Sequence, residues 1–357
     1  MVGGLRALVR PVSAATLGAL AASAAIACVT AAPASATIAF EKNPMKAPSI
    51  WVAEDSGAGQ RQLVAPGVGL QPLISPDGAS VLFSSLPAKG NPALEEVPTA
   101  GGPITTLAAN ANITETAWSP DSKTVVVSVG EPPAAERLLL IDLATKTTRS
   151  IATGSFQGVS FSPDSTMLAY GRAANDRTFP PRSDIYTVAV AGGTPKRITA
   201  NQRSTQPVWG PSAIAFARYF SVRRKGQDEP KVNVWLMKPD GTGAHRLTRV
   251  KAPFLLSGPT PLEWSASGAQ LLAEFGGQDT VYGQGVDPRT GAVHTFSRNR
   301  KLATQLVATG ISRDGSAVLA ATGGFDPGGR HDIVTVPYAG GPPKVLVRGG
   351  FLPSWND

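Results

Sequence analysis

Few residues in this 357-residue sequence combine the types and the spacing that chemistry requires. Its three histidines, His245, His294 and His331, lie far apart, and no His-x-x-x-His or comparable spacing sets two of them on one face. Metal binding or acid–base catalysis would need at least two convergent polar partners around one of them, so they are expected to be exposed loop histidines and no metal site is expected. Asp77, Asp121, Asp164 and Asp314 recur, but each stands alone in a turn. A calcium loop instead alternates several oxygen ligands within about a dozen residues. There is no Gly-x-Ser-x-Gly elbow to expose a nucleophile, and Gly154-Ser155 and Gly315-Ser316 have no evident base beside them. Gly101-Gly102, Gly192-Gly193 and Gly340-Gly341 end apolar runs rather than open helices, which suits hairpin turns and not a phosphate cradle. No catalytic residue and no cofactor follow from these residues.

Two segments stand out by mixing bases with aromatics: Arg172 to Phe179, and Arg218-Tyr219-Phe220-Ser221-Val222-Arg223-Arg224-Lys225. A charge run is usually a solvated face, but arginine and aromatic residues on long loops are enriched at binding hot spots. The candidate binding residues are therefore Arg177, Phe179 and Arg182 from the first segment and its flank, and Tyr219, Phe220, Arg223 and Arg224 from the second.

What positions them is a repeat. An aromatic or large aliphatic residue followed by Ser-Pro-Asp-Gly or a relative occurs at Ile74, Trp118 and Phe161, and in weaker form at Trp209, Trp264, Ile311 and Trp355. These seven anchors are 44, 43, 48, 55, 47 and 44 residues apart, a period that fits four-stranded propeller blades. The phrase makes a tight hairpin turn: Ser takes the turn hydrogen bond, Pro pre-sets φ, and Gly tolerates the positive φ where the next strand departs. Apolar second strands follow, as in Val81-Leu82-Phe83 and Val125-Val126-Val127. Third strands end at Gly-rich turns, and fourth strands carry a basic residue before an aliphatic pair or Leu-Thr, as in Arg197-Ile198-Thr199 and Arg246-Leu247-Thr248. The anchor aromatics Trp118, Phe161, Trp209 and Trp264 are expected to pack between blades rather than stack on a sugar.

Thr37 to Phe40 looks like a second strand without its first, and Phe351 to Trp355 like a first strand without its second. The fold is thus all-β, a seven-bladed β-propeller of four-stranded blades whose ring closes by pairing N-terminal strands with a C-terminal strand, removing exposed edges. The connections between second and third strands, Ser128 to Arg137, Gly171 to Asp184, Arg218 to Lys231 and Thr322 to Asp332, are long, irregular loops opposite the Ser-Pro-Asp turns. Polar inner-strand residues Gln71, Glu115 and Gln206 are candidates to line the central channel.

The turn phrase, third-strand pattern and basic-Leu-Thr ending resemble the repeats of TolB-like propeller proteins, found also in the propeller domains of some exopeptidases. The resemblance covers nearly all of residues 37–357. TolB itself carries an α/β domain before a six-bladed propeller, so a role in the Tol–Pal system is not carried over. The fold hosts unrelated functions.

Arg6 and Arg10, the uncharged run Val12 to Thr30 and the small triplet Ala34-Ser35-Ala36 compose a secretory signal peptide over 1–36. Retention as an anchor is disfavoured by that triplet and Pro33, and lipidation at Cys28, the single cysteine, is a minor alternative. Domain organisation is 1–36 signal peptide and 37–357 one propeller. Its removal takes two of the 33 basic residues and none of the 25 acidic ones, leaving +6. No basic arm or zinc-finger spacing suggests nucleic acid. The expectation is an exported monomer, secreted, periplasmic or held at the envelope, that binds a protein, peptide or anionic envelope polymer without catalysis. The alternative is a propeller enzyme of lyase or lactonase type acting at the channel.

Overall fold

The computed structural model describes residues 37–43, 46–86, 92–109, 112–130, 135–174, 180–224, 226–277, 280–297, 306–324 and 329–356. The expected signal peptide with Cys28, and the candidate residues Arg177 and Phe179, lie outside them. Ala34–Asp357 forms one compact unit. Among the described residues every regular element is a β-strand, and no helix is long and apolar enough to cross a membrane.

The first strands among the described residues are β1 (Thr37–Lys42), β2 (Ser49–Glu54) and β3 (Arg61–Val64). Blade 1 follows as β4 (Gly69–Ile74), β5 (Ser80–Ser85), β6 (Ala93–Pro98) and β7 (Thr105–Ala108). Next come β8 (Ile113–Trp118), β9 (Thr124–Val129), β10 (Glu136–Asp142), the long β11 (Thr148–Phe161), β12 (Met167–Ala173), β13 (Ser183–Ala189) and β14 (Lys196–Arg197). These seven strands form one sheet, but β11 pairs with β10 through its first half and with β12 through its second. It therefore ends blade 2 and begins blade 3. Blade 4 is β15 (Ser204–Trp209), β16 (Ile214–Arg224), β17 (Gln227–Met237) and β18 (His245–Arg246). Blade 5 is β19 (Leu256–Trp264), β20 (Leu271–Gly277), β21 (Val281–Val286) and β22 (Val293–Thr295), and blade 6 is β23 (Val307–Ile311), β24 (Ala317–Ala321), β25 (Asp332–Pro337) and β26 (Lys344–Arg348). Finally β27 (Gly350–Trp355) returns to β1, giving a sheet in the order β27-β1-β2-β3 with Ile38 opposite Trp355 and Lys42 opposite Gly350. The ring closes on the two ends of the propeller segment, as the strand count in the sequence requires.

The core lies between blades. Leu82 and Leu94 of blade 1 pack against Trp118, Val125, Val127 and Leu139 of blade 2, and comparable apolar layers recur around the ring. Because each sheet is covered on both faces, second strands read as continuous apolar runs rather than alternating ones: Val125, Val126 and Val127 are all fully buried.

The turn phrase works as a small hydrogen-bonded device. Ser75 Oγ donates to Asp77 Oδ1 at 2.6 Å and accepts the Ser80 amide at 3.0 Å, and Ser119–Asp121, Ser162–Asp164 and Ser312–Asp314 repeat the arrangement. Ser122 and Ser165 occupy the left-handed position that Gly78 fills in blade 1, with φ of 59° and 61°. The serine hydroxyl offsets the strain by bonding the adjacent turn: Ser122 Oγ accepts the Asp77 amide and Ser165 Oγ the Asp121 amide, each at 3.1 Å. The fourth-strand phrase has a similar cause. Thr199 Oγ1 donates to Asp184 and accepts the Ile185 amide, while Thr248 Oγ1 donates to Asn233 and accepts the Val234 amide.

Candidate binding face

The first strand of each blade faces the ring centre, and its backbone groups on that side lack a ladder partner. Unpaired buried amides cost about 1–3 kcal/mol each, and side chains of adjoining strands accept several of them. Ser354 Oγ accepts the Ile74 amide, Ser160 Oγ the Trp209 amide, Glu263 Oε2 the Ile311 amide and Glu115 Oε1 the Gly158 amide, all at 2.9 Å. Glu41 likewise accepts the Gln71 amide. The indoles add reverse stitches, with Trp118 Nε1 donating to Leu73 O and Trp264 Nε1 to Val208 O. The anchor aromatics are inter-blade elements.

The channel candidates sit on these inner strands at backbone irregularities. Gln71 and Gln206 take positive φ of 54° and 50°, each immediately before a proline, where the register of β4 and β15 shifts. Gln71 is exposed, Gln206 is half-buried, and Glu115 is half-buried with burial pushing its carboxyl up to about 7 against the bond from Gly158. Glu263, on the first strand of blade 5, was not singled out from the sequence, yet it makes the same kind of bond to the next blade as Glu115. It is exposed to solvent at the end of β19, and desolvation by the surrounding protein raises its carboxyl to about 7 against the bond from the Ile311 amide. Its signal in the sequence was a lone acid directly before an anchor tryptophan. Among the described residues no group of three or more His, Cys, Asp or Glu side chains is placed to hold a metal ion.

The histidines differ from expectation. His245 is exposed, but His331 is buried with its ring against Phe351 and Nδ1 bonded to Thr322 O. His294 is half-buried, with Nε2 on Tyr338 O and its ring edge-on to Tyr338 and Phe296. Both are packing residues at blade contacts.

The segment Arg218 to Lys231 is a larger correction. Rather than an irregular loop it is a continuous antiparallel hairpin, with β16 and β17 in register from Ile214↔Met237 to Arg224↔Gln227. Its outer half runs past the neighbouring strands, because β15 reaches only Arg218 and β18 pairs only with Trp235 and Leu236. This end lies opposite the Gly210–Ala213 turn that joins β15 to β16. Sequence reasoning missed it because Arg218, Arg223 and Arg224 break the apolar alternation that marks a strand.

The base of the hairpin is fixed by charge. Lys231 and Glu229 are both buried and pair at 2.9 Å, and Lys231 Nζ also donates to Pro253 O and Leu256 O. That ties the hairpin to the link between blades 4 and 5, where Phe254 and Leu255 are about half exposed, Leu255 with a positive φ of 65°. The Arg218 guanidinium carbon sits over the Trp235 ring, 3.9 Å from its centroid, and Nε donates to Ser204 Oγ. Of the candidates on this hairpin, Tyr219 and Phe220 are half-buried, while Arg223 and Arg224 are exposed and Arg223 pairs loosely with Asp228 at 3.6 Å. Arg182 is exposed at the base of the β12–β13 connection of the adjacent blade, its carbonyl accepting the Ala174 amide. The blades meet through Asp184, which accepts the amides of Asn201 and Gln202.

No protein-family model and no curated protein sequence matches the chain. Solved structures do. TolB from Acinetobacter baumannii is 18% identical, over 87% of this chain and 79% of its own, with a TM-score of 0.51. The β-propeller domain of the Trilobed protease from Pyrococcus furiosus, described by its open velcro topology, is 13% identical over 88% and 93%, with a TM-score of 0.62. An oligogalacturonate lyase in complex with manganese is 15% identical over 87% and 83%, with a TM-score of 0.58. At such identities the likeness shows the fold, a β-propeller shared with TolB and with propeller enzymes, and carries no activity with it.

Proposed function

We propose that this protein is an exported, noncatalytic propeller that binds a protein, a peptide or an anionic envelope polymer through the face carrying the β16–β17 hairpin. The observation that supports this most is the hairpin itself: an ordered, projecting element bearing exposed Arg223 and Arg224, beside exposed Phe254 and Leu255. Aromatic, aliphatic and arginine side chains on a rigid support are what binding hot spots use. The opposite face carries repeated turns whose polar groups are already engaged by each other. Export rests on the segment 1–36, and residues 37–357 form the working domain.

Retention of cell-envelope material on the immobilised domain tests the reading. The native domain should retain a partner that Arg223→Ala with Arg224→Ala does not, while Lys123→Ala on the turn face behaves as native. Retention that survives the arginine changes would refute it.

A second reading is supported by Glu115 and Glu263, whose carboxyls titrate near neutrality on inner strands, where an acid or base is most useful. Each spends one oxygen on a neighbouring blade's amide, which accounts for its presence structurally. Turnover of an oligosaccharide or lactone that Glu263→Gln abolishes would favour this enzyme reading.

A further inference from the structure

The two edges of the projecting hairpin are built differently. Tyr219 donates its amide to Arg203 O, so odd-numbered residues of β16 turn their backbone groups toward β15 and even-numbered ones toward β17. Beyond Tyr219, β15 has ended. Ser221 and Arg223 therefore hold their N–H and C=O groups outward with no strand beside them among the described residues, and both are exposed. On β17 the order is reversed. Leu247 donates to Val234 O, which sets the even-numbered residues outward, and those are Val232, Pro230 and Asp228. Val232 O is covered by Gly258 of the next blade, and Pro230 has no amide hydrogen to offer. One edge is thus blunted by a proline and a neighbouring blade, as exposed edges generally are. The other keeps its hydrogen-bonding groups directed outward.

We propose that the outward edge of β16 at Ser221 and Arg223 is a docking strand, to which an extended acidic peptide segment adds by β-augmentation. This rests on the reading of the hairpin face as the working surface and specifies its partner. Main-chain hydrogen bonds to a sheet edge give affinity without a deep pocket, and side chains set the preference. Here the side chains are cationic: Arg223 and Arg224 lie on opposite faces of the strand, and Arg203 is exposed where β15 begins. A second copy of the same strand would bring arginine against arginine, whereas glutamate or aspartate on the added strand meets opposite charge.

The test uses the whole domain and a capped heptapeptide of alternating glutamate and valine, with two analogues N-methylated on its odd or on its even residues. Dextran sulfate serves as an anionic polymer without amides. The heptapeptide should bind the native domain, and one of the two N-methyl analogues should bind at least tenfold more weakly. Ser221→Pro, which copies Pro230 on the opposite edge and removes no ladder bond, should also weaken peptide binding at least tenfold while leaving dextran sulfate binding unchanged. Arg223→Ala with Arg224→Ala should weaken both. The N-methyl comparison is made on the native domain, so it holds even where Ser221→Pro impairs folding. Equal binding of all three peptides to the native domain would overturn the docking strand. Should binding then still depend on the arginines, the broader reading of the face would survive; indifference to the arginines as well would remove both.

Discussion

Phe351→Ala tests how much of the fold hangs on the closing strand. Phe351 is buried on β27 against the His331 ring, and β27 holds β1 through pairs from Ile38↔Trp355 to Lys42↔Gly350. Truncating a buried aromatic costs about 3–5 kcal/mol through lost transfer energy and the cavity left behind. At roughly 2 °C per kcal/mol for a domain of this size, the thermal midpoint should fall by about 6–10 °C. Deleting 350–357 altogether should do far more. It exposes Ile38 and Phe40, both fully buried, and leaves the Ile74 amide without Ser354 Oγ. Each buried side chain contributes about 1.5–3 kcal/mol, so the total approaches the 5–15 kcal/mol (roughly) that a whole domain usually has. Differential scanning calorimetry of both variants decides it. A midpoint within 2 °C (about 1 kcal/mol) of the native value for the deletion would refute ring closure by β27.

Three further outcomes follow from the geometry. Glu115 and Glu263 titrate near 7 when folded, against 4.5 for an ordinary glutamate carboxyl, so their contribution to stability is greatest in acid and declines as pH rises from about 4.5 to 7. The turn carboxylates have the opposite sign: the bond from Ser312 holds Asp314 down to about 2, and its contribution is lost as pH falls below 3.8. The thermal midpoint should therefore peak near pH 4–5 (about), and Glu263→Gln should flatten the limb between pH 5 and 7 (roughly); an unchanged limb would show that Glu263 is not the group responsible. Ser122→Ala should cost about 1–2 kcal/mol, because alanine keeps the left-handed strain without the bond to Asp77, whereas Ser122→Gly should stay within about 0.5. Denaturant midpoints that rank alanine above glycine would contradict this. Asp184→Ala removes an acceptor shared by Thr199, Asn201, Gln202 and Arg197, and urea unfolding should register a loss of about 2–4 kcal/mol.

The architecture was legible because three anchors carry the full Ser-Pro-Asp turn and two fourth strands carry Arg-x-Thr, and both phrases are local hydrogen-bonding devices that set the period on which the weaker copies fall. Closure was legible from strands that lacked partners in sequence. The hairpin was not, because its outer half is held by register rather than by burial, so Arg223 and Arg224 look like loop residues. Glu263 was missed for a related reason. Its role depends on the Ile311 amide, 48 residues away, and no local pattern encodes a bond between blades. His331 and Phe351 meet only when the ring closes, which no turn signal reveals.

The binding of anionic partners proposed for the arginines of the hairpin face is tested most directly by a salt titration of binding to a defined anionic probe, sodium polyglutamate. Affinity should fall as ionic strength rises, because exposed charge pairs are screened. Two exposed arginines at up to about 1 kcal/mol each amount to a loss on the order of tenfold for Arg223→Ala with Arg224→Ala. The native thermal midpoint should be kept, since Arg223 is paired only loosely with Asp228, and Lys123→Ala should leave affinity unchanged. An affinity indifferent both to the two arginines and to salt would contradict the account.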